Sequence, residues 1–86
     1  MKKCYFVYIL HCSDKSLYTG YTDNLDARLK KHNSGKAAKY TSGRRPVKLV
    51  YWEVHNSKSS AMSREINIKQ LSRAKKEELI AAENRG

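Results

Sequence analysis

The sequence predicts an α+β protein: a small three-stranded, mainly antiparallel sheet flanked by helices, in the order β-β-α-β-α-α. Strand-like segments rich in aromatic and β-branched residues occur near residues 4–12, 17–22 and 47–55, and polar turn residues separate them. Helical apolar spacing occurs after the second strand and again after the third. A lone hairpin does not persist without packing, so we expect helices to cover the sheet. At 86 residues, the chain has room for one domain, 1–86.

The first two strands form a predicted hairpin. Cys4 to Cys12 is nearly all apolar, which is typical of a strand buried on both faces. Ser13 to Ser16 is rich in turn residues, and Leu17 to Thr22 has strand composition again.

A helix is expected after the hairpin. Thr22 or Asp23 can cap its start, and Leu25 and Leu29 lie on its inner face. Gly35 follows its last turn and can adopt the left-handed conformation that ends helices.

The second half of the chain begins with a basic loop from Lys36 to Pro46, which has no helical pattern. The third strand is Val47 to His55. Two helices follow, roughly Ser59 to Leu71 and Ala74 to Asn84, and Ser72 can cap the second one.

The charge balance indicates a polyanionic partner. Lys plus Arg number 18 against 8 Asp plus Glu, a net charge of +10, and nucleic acid is favoured over a merely soluble basic surface. No helix joins a broad Trp/Phe/Leu face to a basic one, so no membrane partner is expected. With no spanning apolar run and no signal-peptide pattern, the sequence favours a cytoplasmic location.

The two cysteines do not suggest a metal site or a cross-link. Cys4 and Cys12 lie on one predicted strand, roughly 26 Å apart at about 3.3 Å per residue, which is too far for a disulfide. They form no C-x-x-C pair, so we expect reduced thiols and no zinc.

Glu65 is a carboxylate inside an otherwise apolar arc of its helix, formed by Ala61, Met62, Ile66 and Ile68. One interpretation is a partly solvated i,i+4 pair with Lys69, worth a few tenths of a kcal/mol. The other is a ligand for a hard ion such as Mg²⁺, which often uses one or two protein carboxylates and several waters.

Polar groups suited to phosphate chemistry occur in the first half of the chain. Arg28 and His32 are one helical turn apart beside the apolar stripe; Arg clamps phosphates and His transfers protons near neutral pH, although either can be an ordinary surface residue. Four tyrosines occupy the hairpin: Tyr5, Tyr8, Tyr18 and Tyr21. Packing is the simple reading for Tyr5 and Tyr21, and any catalytic tyrosine needs nearby positive charge.

These residues form a known pattern. Phe6-Val7-Tyr8 is followed, ten residues after Tyr8, by Tyr18-Thr19-Gly20, and this resembles the GIY-YIG nuclease signature. Arg28, His32 and Glu65 follow in the family's order, and the resemblance covers nearly the whole chain. It is strongest to the short stand-alone bacterial branch.

The resemblance implies a metal-dependent endonuclease that hydrolyses phosphodiester bonds. Tyr8 and Tyr18 would position or deprotonate the attacking water, and Arg28 would stabilise charge on the phosphate. His32 would assist proton transfer, and Glu65 would hold one Mg²⁺ or Mn²⁺. DNA is expected more than RNA, with weak or structure-based selectivity, and a partner protein or a dimer could supply targeting.

The sequence departs from the family pattern in several places. Phe6, Val7 and Thr19 replace the usual residues at packing positions of the two motifs. Tyr21 stands where some relatives carry a lysine, which leaves His32 as the candidate helper of a tyrosine. Near Glu77 there is no asparagine that aligns with the one some relatives carry.

The pattern makes a geometric prediction. Tyr8 and Tyr18 share one face of the hairpin only if paired residue numbers sum to an even number, which needs an odd-numbered loop such as Ser13 to Lys15, or a bulge.

Two other functions remain open beside the nuclease. One is a nucleic-acid-binding module of the same fold that cleaves poorly or not at all, and the other is a protein-interaction domain with incidental charge. In the nuclease and in the binding module, the basic loop would bind the nucleic-acid backbone without reading its sequence. The residues of the loop that would do so are Lys36, Lys39, Tyr40, Arg44 and Arg45.

Overall fold

The computed structural model describes residues 3–84, whose order of elements follows the expected β-β-α-β-α-α with one short helix added. The elements are β1 (Tyr5–His11), β2 (Leu17–Thr22), α1 (Leu25–Asn33), α2 (Lys39–Ser42), β3 (Lys48–His55), α3 (Lys58–Lys69) and α4 (Arg73–Asn84). The strands form one antiparallel sheet in the order β2-β1-β3. The predicted α+β class is therefore confirmed.

A tight turn joins β1 to β2. The Cys12 amide donates to the Ser16 carbonyl at 2.9 Å, which leaves Ser13 to Lys15 as the loop. Lys15 has φ 71°, the left-handed residue that three-residue hairpin loops commonly contain. The turn thus has the odd-numbered loop that the tyrosine pattern requires.

The register places the two motif tyrosines on one face. Tyr8 pairs with Gly20 and Leu10 pairs with Tyr18. Since side chains alternate along a strand, Tyr8, Leu10 and Tyr18 point to the same side. The predicted shared face is confirmed.

The sheet has a core on each side, because β1 is its central strand and Val7 to Leu10 are all buried. The side covered by α1, here the α1 face, has a core of Tyr8, Leu10, Cys12 and Val47, with Leu25, Leu29 and Leu49 packed against it. The opposite side, the α3 face, has a core of Val7, Ile9, Tyr51, Ala61 and Ile68, with Leu79 and Ile80 of α4 packed against it.

The start of α1 differs from the expectation. Asn24 is the N-cap, and its side chain accepts from the Ala27 amide at 3.1 Å. Thr22 accepts from the Asn24 amide at 3.1 Å, whereas Asp23 pairs with Lys3 at 2.8 Å. Thr22 and Asp23 were therefore the wrong choices of cap.

The other helix ends agree more closely with the sequence. Gly35, just past α1, has φ 83°, as a left-handed helix-terminating residue should. Ser57 caps α3 by accepting from the Ser60 amide at 3.1 Å, and Ser72 accepts from the Lys75 amide at 3.3 Å, as predicted for the last helix.

The basic segment after α1 is more ordered than expected. It contains the helical turn α2, and Thr41 within it is fully buried. The prediction of a loop without helix was wrong here, because one buried side chain fixes a turn too short to show periodicity. In the described part of the chain, 3–84, no helix has the length and apolarity needed to cross a membrane.

Candidate active site

A pocket of about 390 Å³ opens at the outer edge of β2. Because β2 is an edge strand, side chains from both faces of the sheet can meet around it. The α1 face contributes Tyr8, Tyr18 and Arg28, and helix α3 contributes Lys58 and Glu65. Four of the five predicted catalytic residues thus line one cavity.

Gly20 lets the ring of Tyr8 cross β2. The two residues are cross-strand partners, and a Cβ built on Gly20 would lie 2.5 Å from the Tyr8 hydroxyl oxygen and 2.7 Å from the ring carbon that bears it. These distances are far below van der Waals contact. Gly20 is needed here for the close approach of an aromatic ring.

The fifth predicted residue, His32, lies behind Tyr8. Its Nε2 is 2.9 Å from the Tyr8 hydroxyl, and its Nδ1 is 2.8 Å from the hydroxyl of Thr41 on α2. His32 and Thr41 are both buried. His32 therefore contacts the pocket through Tyr8.

Burial favours the neutral forms of Tyr8 and His32. It raises the pKa of Tyr8, the charges of Tyr18 and Glu65 raise it further, and Arg28 opposes them. Burial also lowers the pKa of His32, and the Arg28 guanidinium adds to that effect. The resting pair is a phenol beside an imidazole, which can exchange one proton.

Tyr18 is held between two rings. Its ring meets His32 edge-on, with centroids 5.2 Å apart, and stacks on Tyr40 of α2 at 5.8 Å and 28°. The Arg44 guanidinium lies 4.0 Å from the centroid of Tyr40. This stack fixes the direction in which Tyr18 faces the pocket.

The acidic side chains of the pocket have basic neighbours. Glu65 lies 3.6 Å from Lys69, the i,i+4 pair that was one interpretation of this carboxylate, and its side chain is 17% exposed. Asp23 is paired with Lys3. Arg28 and Lys58 add positive charge to the same walls, so the pocket suits an anionic group next to its two carboxylates, Asp23 and Glu65.

The donor set fits a divalent ion bound mostly through water. Among residues 3–84, no three His, Cys, Asp or Glu side chains are grouped so that they could hold a metal. A hard ion such as Mg²⁺, however, needs only one or two carboxylates and keeps several waters. Glu65 in a cavity of about 390 Å³ meets that requirement.

The residues of the predicted nucleic-acid-binding loop divide into two groups. Lys36, Lys39 and Tyr40 are exposed. Arg44 pairs with Asp14 at 2.9 Å and donates to the Tyr40 carbonyl, while Arg45 donates to the Ser42 carbonyl at 2.8 Å. The two arginines therefore hold the loop together as well as carrying charge.

Three residues of the site were not singled out by the sequence. Lys58 was assigned to no element, and Thr41 lay in the supposed loop. Gly20 is predicted only as the last residue of the Tyr18-Thr19-Gly20 motif. If paired residue numbers on the hairpin sum to an even number, Gly20 can lie opposite Tyr8, and this could have indicated its role. Nothing comparable in the sequence indicates Thr41 or Lys58.

Comparisons with known proteins find one family. Residues 4–78 match the GIY-YIG catalytic domain family. A UPF0213 protein of Natronomonas pharaonis is 57% identical over 79 residues, which cover 92% of this chain and 93% of that protein. A UPF0213 protein of Staphylococcus haemolyticus is 58% identical over 76 residues, covering 88% and 93%.

Two solved structures share the fold. The solution NMR structure of a UPF0213 protein from Bacillus halodurans has a TM-score of 0.60 at 53% identity and covers 92% of this chain and 84% of that one. That of a protein from E. faecalis has a TM-score of 0.66 at 39% identity and covers 99% and 91%. The resemblance found in the motifs is confirmed.

Proposed function

Because this chain belongs to the GIY-YIG family, we propose that it is a divalent-metal-dependent endonuclease that hydrolyses phosphodiester bonds in nucleic acid. The observation that carries the proposal is the convergence of Tyr8, Tyr18, Arg28 and Glu65 on one pocket. Phosphodiester hydrolysis needs a held nucleophile, an electrophile on the phosphate and a cation against the developing charge. The tyrosines can hold the nucleophilic water, Arg28 can act on the phosphate, and Glu65 can hold the cation.

Tyr8 and Tyr18 handle the attacking water. Their side chains share a sheet face and border the cavity, so both can hydrogen-bond one water molecule. As Tyr8 takes a proton from that water, its own proton passes to His32, 2.9 Å away. The water oxygen attacks phosphorus, the bond from phosphorus to the leaving oxygen breaks, and the leaving oxygen takes a proton from solvent. The His32 imidazolium then returns its extra proton to solvent, so that protons balance over one turnover.

Arg28 and Glu65 handle the phosphate. The planar guanidinium can bind two phosphate oxygens at once. Glu65 would hold one Mg²⁺ or Mn²⁺, and the ion supplies charge stabilisation at the leaving oxygen when bound. To bind the ion, Glu65 must give up its contact with Lys69. The loss in stability is small, because such i,i+4 pairs contribute a few tenths of a kcal/mol.

Substrate affinity comes from the basic surface beside the pocket. Lys36, Lys39 and Tyr40 are exposed, and Tyr40 stacks directly on Tyr18. Arg44 and Arg45 support the same segment. Contacts of this kind bind the phosphate backbone without reading bases, so we propose a weakly selective or structure-selective enzyme that prefers DNA to RNA.

The test is a cleavage panel with Mg²⁺ or Mn²⁺ on branched, flapped, single-stranded and duplex DNA and RNA. We expect cleavage by the unmodified protein and at least about a 100-fold loss in Glu65→Gln and Tyr18→Phe, the scale of a general base or a key electrostatic group. Nucleic-acid affinity should change little. Glu78→Gln makes the same charge change on α4, where Glu78 pairs with Lys75, and should cleave normally.

The second candidate is a nucleic-acid-binding module without catalysis. The Glu65–Lys69 contact at 3.6 Å favours it, since a carboxylate that already has a partner has a purely structural role available. If the purified protein binds every substrate in the panel and cuts none, this alternative replaces the nuclease.

A further inference from the structure

A buried line of hydrogen bonds runs from α2 to the pocket. The Thr41 hydroxyl lies 3.1 Å from the Ala38 carbonyl and 2.8 Å from Nδ1 of His32. On the other side of the ring, Nε2 lies 2.9 Å from the Tyr8 hydroxyl. Thr41 is 0% and His32 1% exposed, so solvent does not compete for these contacts.

The Ala38 carbonyl fixes the direction of the whole line. A carbonyl oxygen only accepts, so the single hydroxyl hydrogen of Thr41 is used toward Ala38. The same oxygen must then accept from His32, which places a hydrogen on Nδ1. A neutral imidazole carries one hydrogen, so Nε2 is left as an acceptor and the Tyr8 hydroxyl donates to it.

We propose that Thr41 is a positioning residue that holds His32 in the Nδ1-protonated tautomer, so that Nε2 is free to take the proton of Tyr8. This inference rests on the proposed function for its catalytic consequence. The proton moves from Tyr8 to Nε2 while Tyr8 takes one from the attacking water. The ring becomes an imidazolium that donates to Thr41 and Tyr8, and Thr41 keeps its own hydrogen throughout.

The opposite arrangement would disable the same residues. If Thr41 donated to Nδ1, the hydrogen of the ring would sit on Nε2 and point at the Tyr8 oxygen. Nε2 could not then accept a proton, and Tyr8 would lose its base. The role of Thr41 is therefore a matter of which atom carries a hydrogen, and not of packing alone.

The first measurement is the tautomer itself. Long-range ¹H–¹⁵N correlation spectra of the uniformly labelled protein distinguish a protonated ring nitrogen from a bare one. At neutral pH we expect His32 with Nδ1 protonated and Nε2 bare. A ring protonated at Nε2 overturns the proposal. This readout does not depend on cleavage, so it tests the predicted tautomer even if the protein proves not to be a nuclease.

Variants at Thr41 separate hydrogen bonding from packing. Thr41→Val keeps the shape of the side chain and removes the hydroxyl, and we expect kcat to fall on the order of 100-fold, the lower range of what a general base contributes, with KM nearly unchanged. Thr41→Ser keeps the hydroxyl and should retain both the tautomer and most of kcat. Equal losses in the two variants would show a packing role and overturn the proposal.

The proposal stays testable even if Thr41→Val does not fold. The wild-type spectrum and Thr41→Ser decide the tautomer even if Thr41→Val unfolds. Where all three proteins fold, the spectrum of Thr41→Val should lose the single tautomer and show a ring that exchanges between the two forms. An unchanged His32 spectrum in Thr41→Val contradicts the proposal.

Discussion

Two buried threonines on β2 differ in what their hydroxyls contact. Both are 4% exposed. Thr22 accepts from the Asn24 amide at 3.1 Å, whereas the buried Thr19 hydroxyl has no hydrogen-bond partner within the described residues. A buried hydroxyl without a partner costs about 1–3 kcal/mol.

We therefore expect Thr19→Val to raise the free energy of unfolding by about 1 kcal/mol, because it replaces an uncompensated hydroxyl with a methyl group of the same shape. Thr22→Val is the matched control and should lower it by a similar amount, since it removes the acceptor of the Asn24 amide. Urea denaturation of the three proteins measures both changes. A loss of stability in Thr19→Val would contradict the account.

The second prediction concerns Gly20. A methyl group at this position would overlap the Tyr8 hydroxyl, so Gly20→Ala should displace Tyr8 from His32 and lower kcat at least about tenfold while the protein stays folded. Gly43→Ala is the control, because a Cβ there meets nothing within 4 Å. Normal cleavage by Gly20→Ala would show that the position of the Tyr8 ring is not needed.

Individual residues of the site were predictable where chemistry made them unusual. Glu65 is unusual because it is a carboxylate on an apolar arc of its helix. Tyr8 and Tyr18 are unusual because they belong to a hairpin with four tyrosines. Thr41 did not stand out, because threonine is common in loops and its partner His32 is nine positions away. Its importance depends on a buried contact that only the fold creates.

A polar cluster joins β3 to α3 on the side of the sheet away from Tyr8. The Glu53 carboxylate accepts from Tyr51 and from His55, and Arg64 of α3 donates to both of its oxygens, at 3.0 and 3.2 Å. Burial opposes ionisation of Glu53, but the hydrogen bonds outweigh it and lower the pKa of the carboxyl below its ordinary value of 4.5.

This pKa shift makes stability depend on pH. A carboxyl whose pKa is lower in the folded state stabilises the fold above its unfolded pKa, and the contribution disappears as pH falls through the folded value. Glu53→Gln should therefore lower the free energy of unfolding at pH 7 by at least about 1 kcal/mol and make it less dependent on pH below 4.5.

Thermal unfolding between pH 2 and 7 measures the effect. Glu77→Gln is the control, because Glu77 pairs with Arg73 on an exposed face of α4, where such pairs contribute little. Parallel stability curves for Glu53→Gln and the unmodified protein would rule out the assigned role of Glu53.

The elements that sequence predicted well have repeated patterns, and those it missed do not. The strands and long helices show apolar spacing over six or more residues, but α2 has four residues, too few to show a period. The cap of α1 was missed for another reason: Thr22, Asp23 and Asn24 are all good caps, and only the backbone path selects Asn24.

The site as a whole depends on the position of β2 at the edge of the sheet. Arg28 and Glu65 lie on helices that cover opposite faces, and they reach one pocket only because no further strand follows β2 within residues 3–84. Sequence pattern alone does not give strand order, so this convergence followed from the family resemblance. For the register, the sequence gives only a condition: Tyr8 and Tyr18 share a face if the loop has an odd number of residues or a bulge intervenes, and the three-residue loop meets it.

The net charge of +10 gives the last prediction, which concerns nucleic-acid affinity. Phosphate contacts release counterions, so the logarithm of the association constant falls linearly with the logarithm of salt concentration, by about 0.9 for each phosphate contacted on duplex DNA. Contacts to about four phosphates give a slope near −3.6. Fluorescence anisotropy with a labelled duplex over a range of salt concentrations measures the slope.

Substitutions of lysines identify the basic side chains that produce this salt dependence. Lys36 and Lys39 are exposed, and the double change to Gln should reduce the magnitude of the slope by up to about 1.8, because each lysine accounts for one phosphate. Lys75→Gln on α4, where Lys75 pairs with Glu78, should leave the slope unchanged. A salt-independent affinity would instead favour a protein-interaction domain, since the positive charge would then play no part in binding.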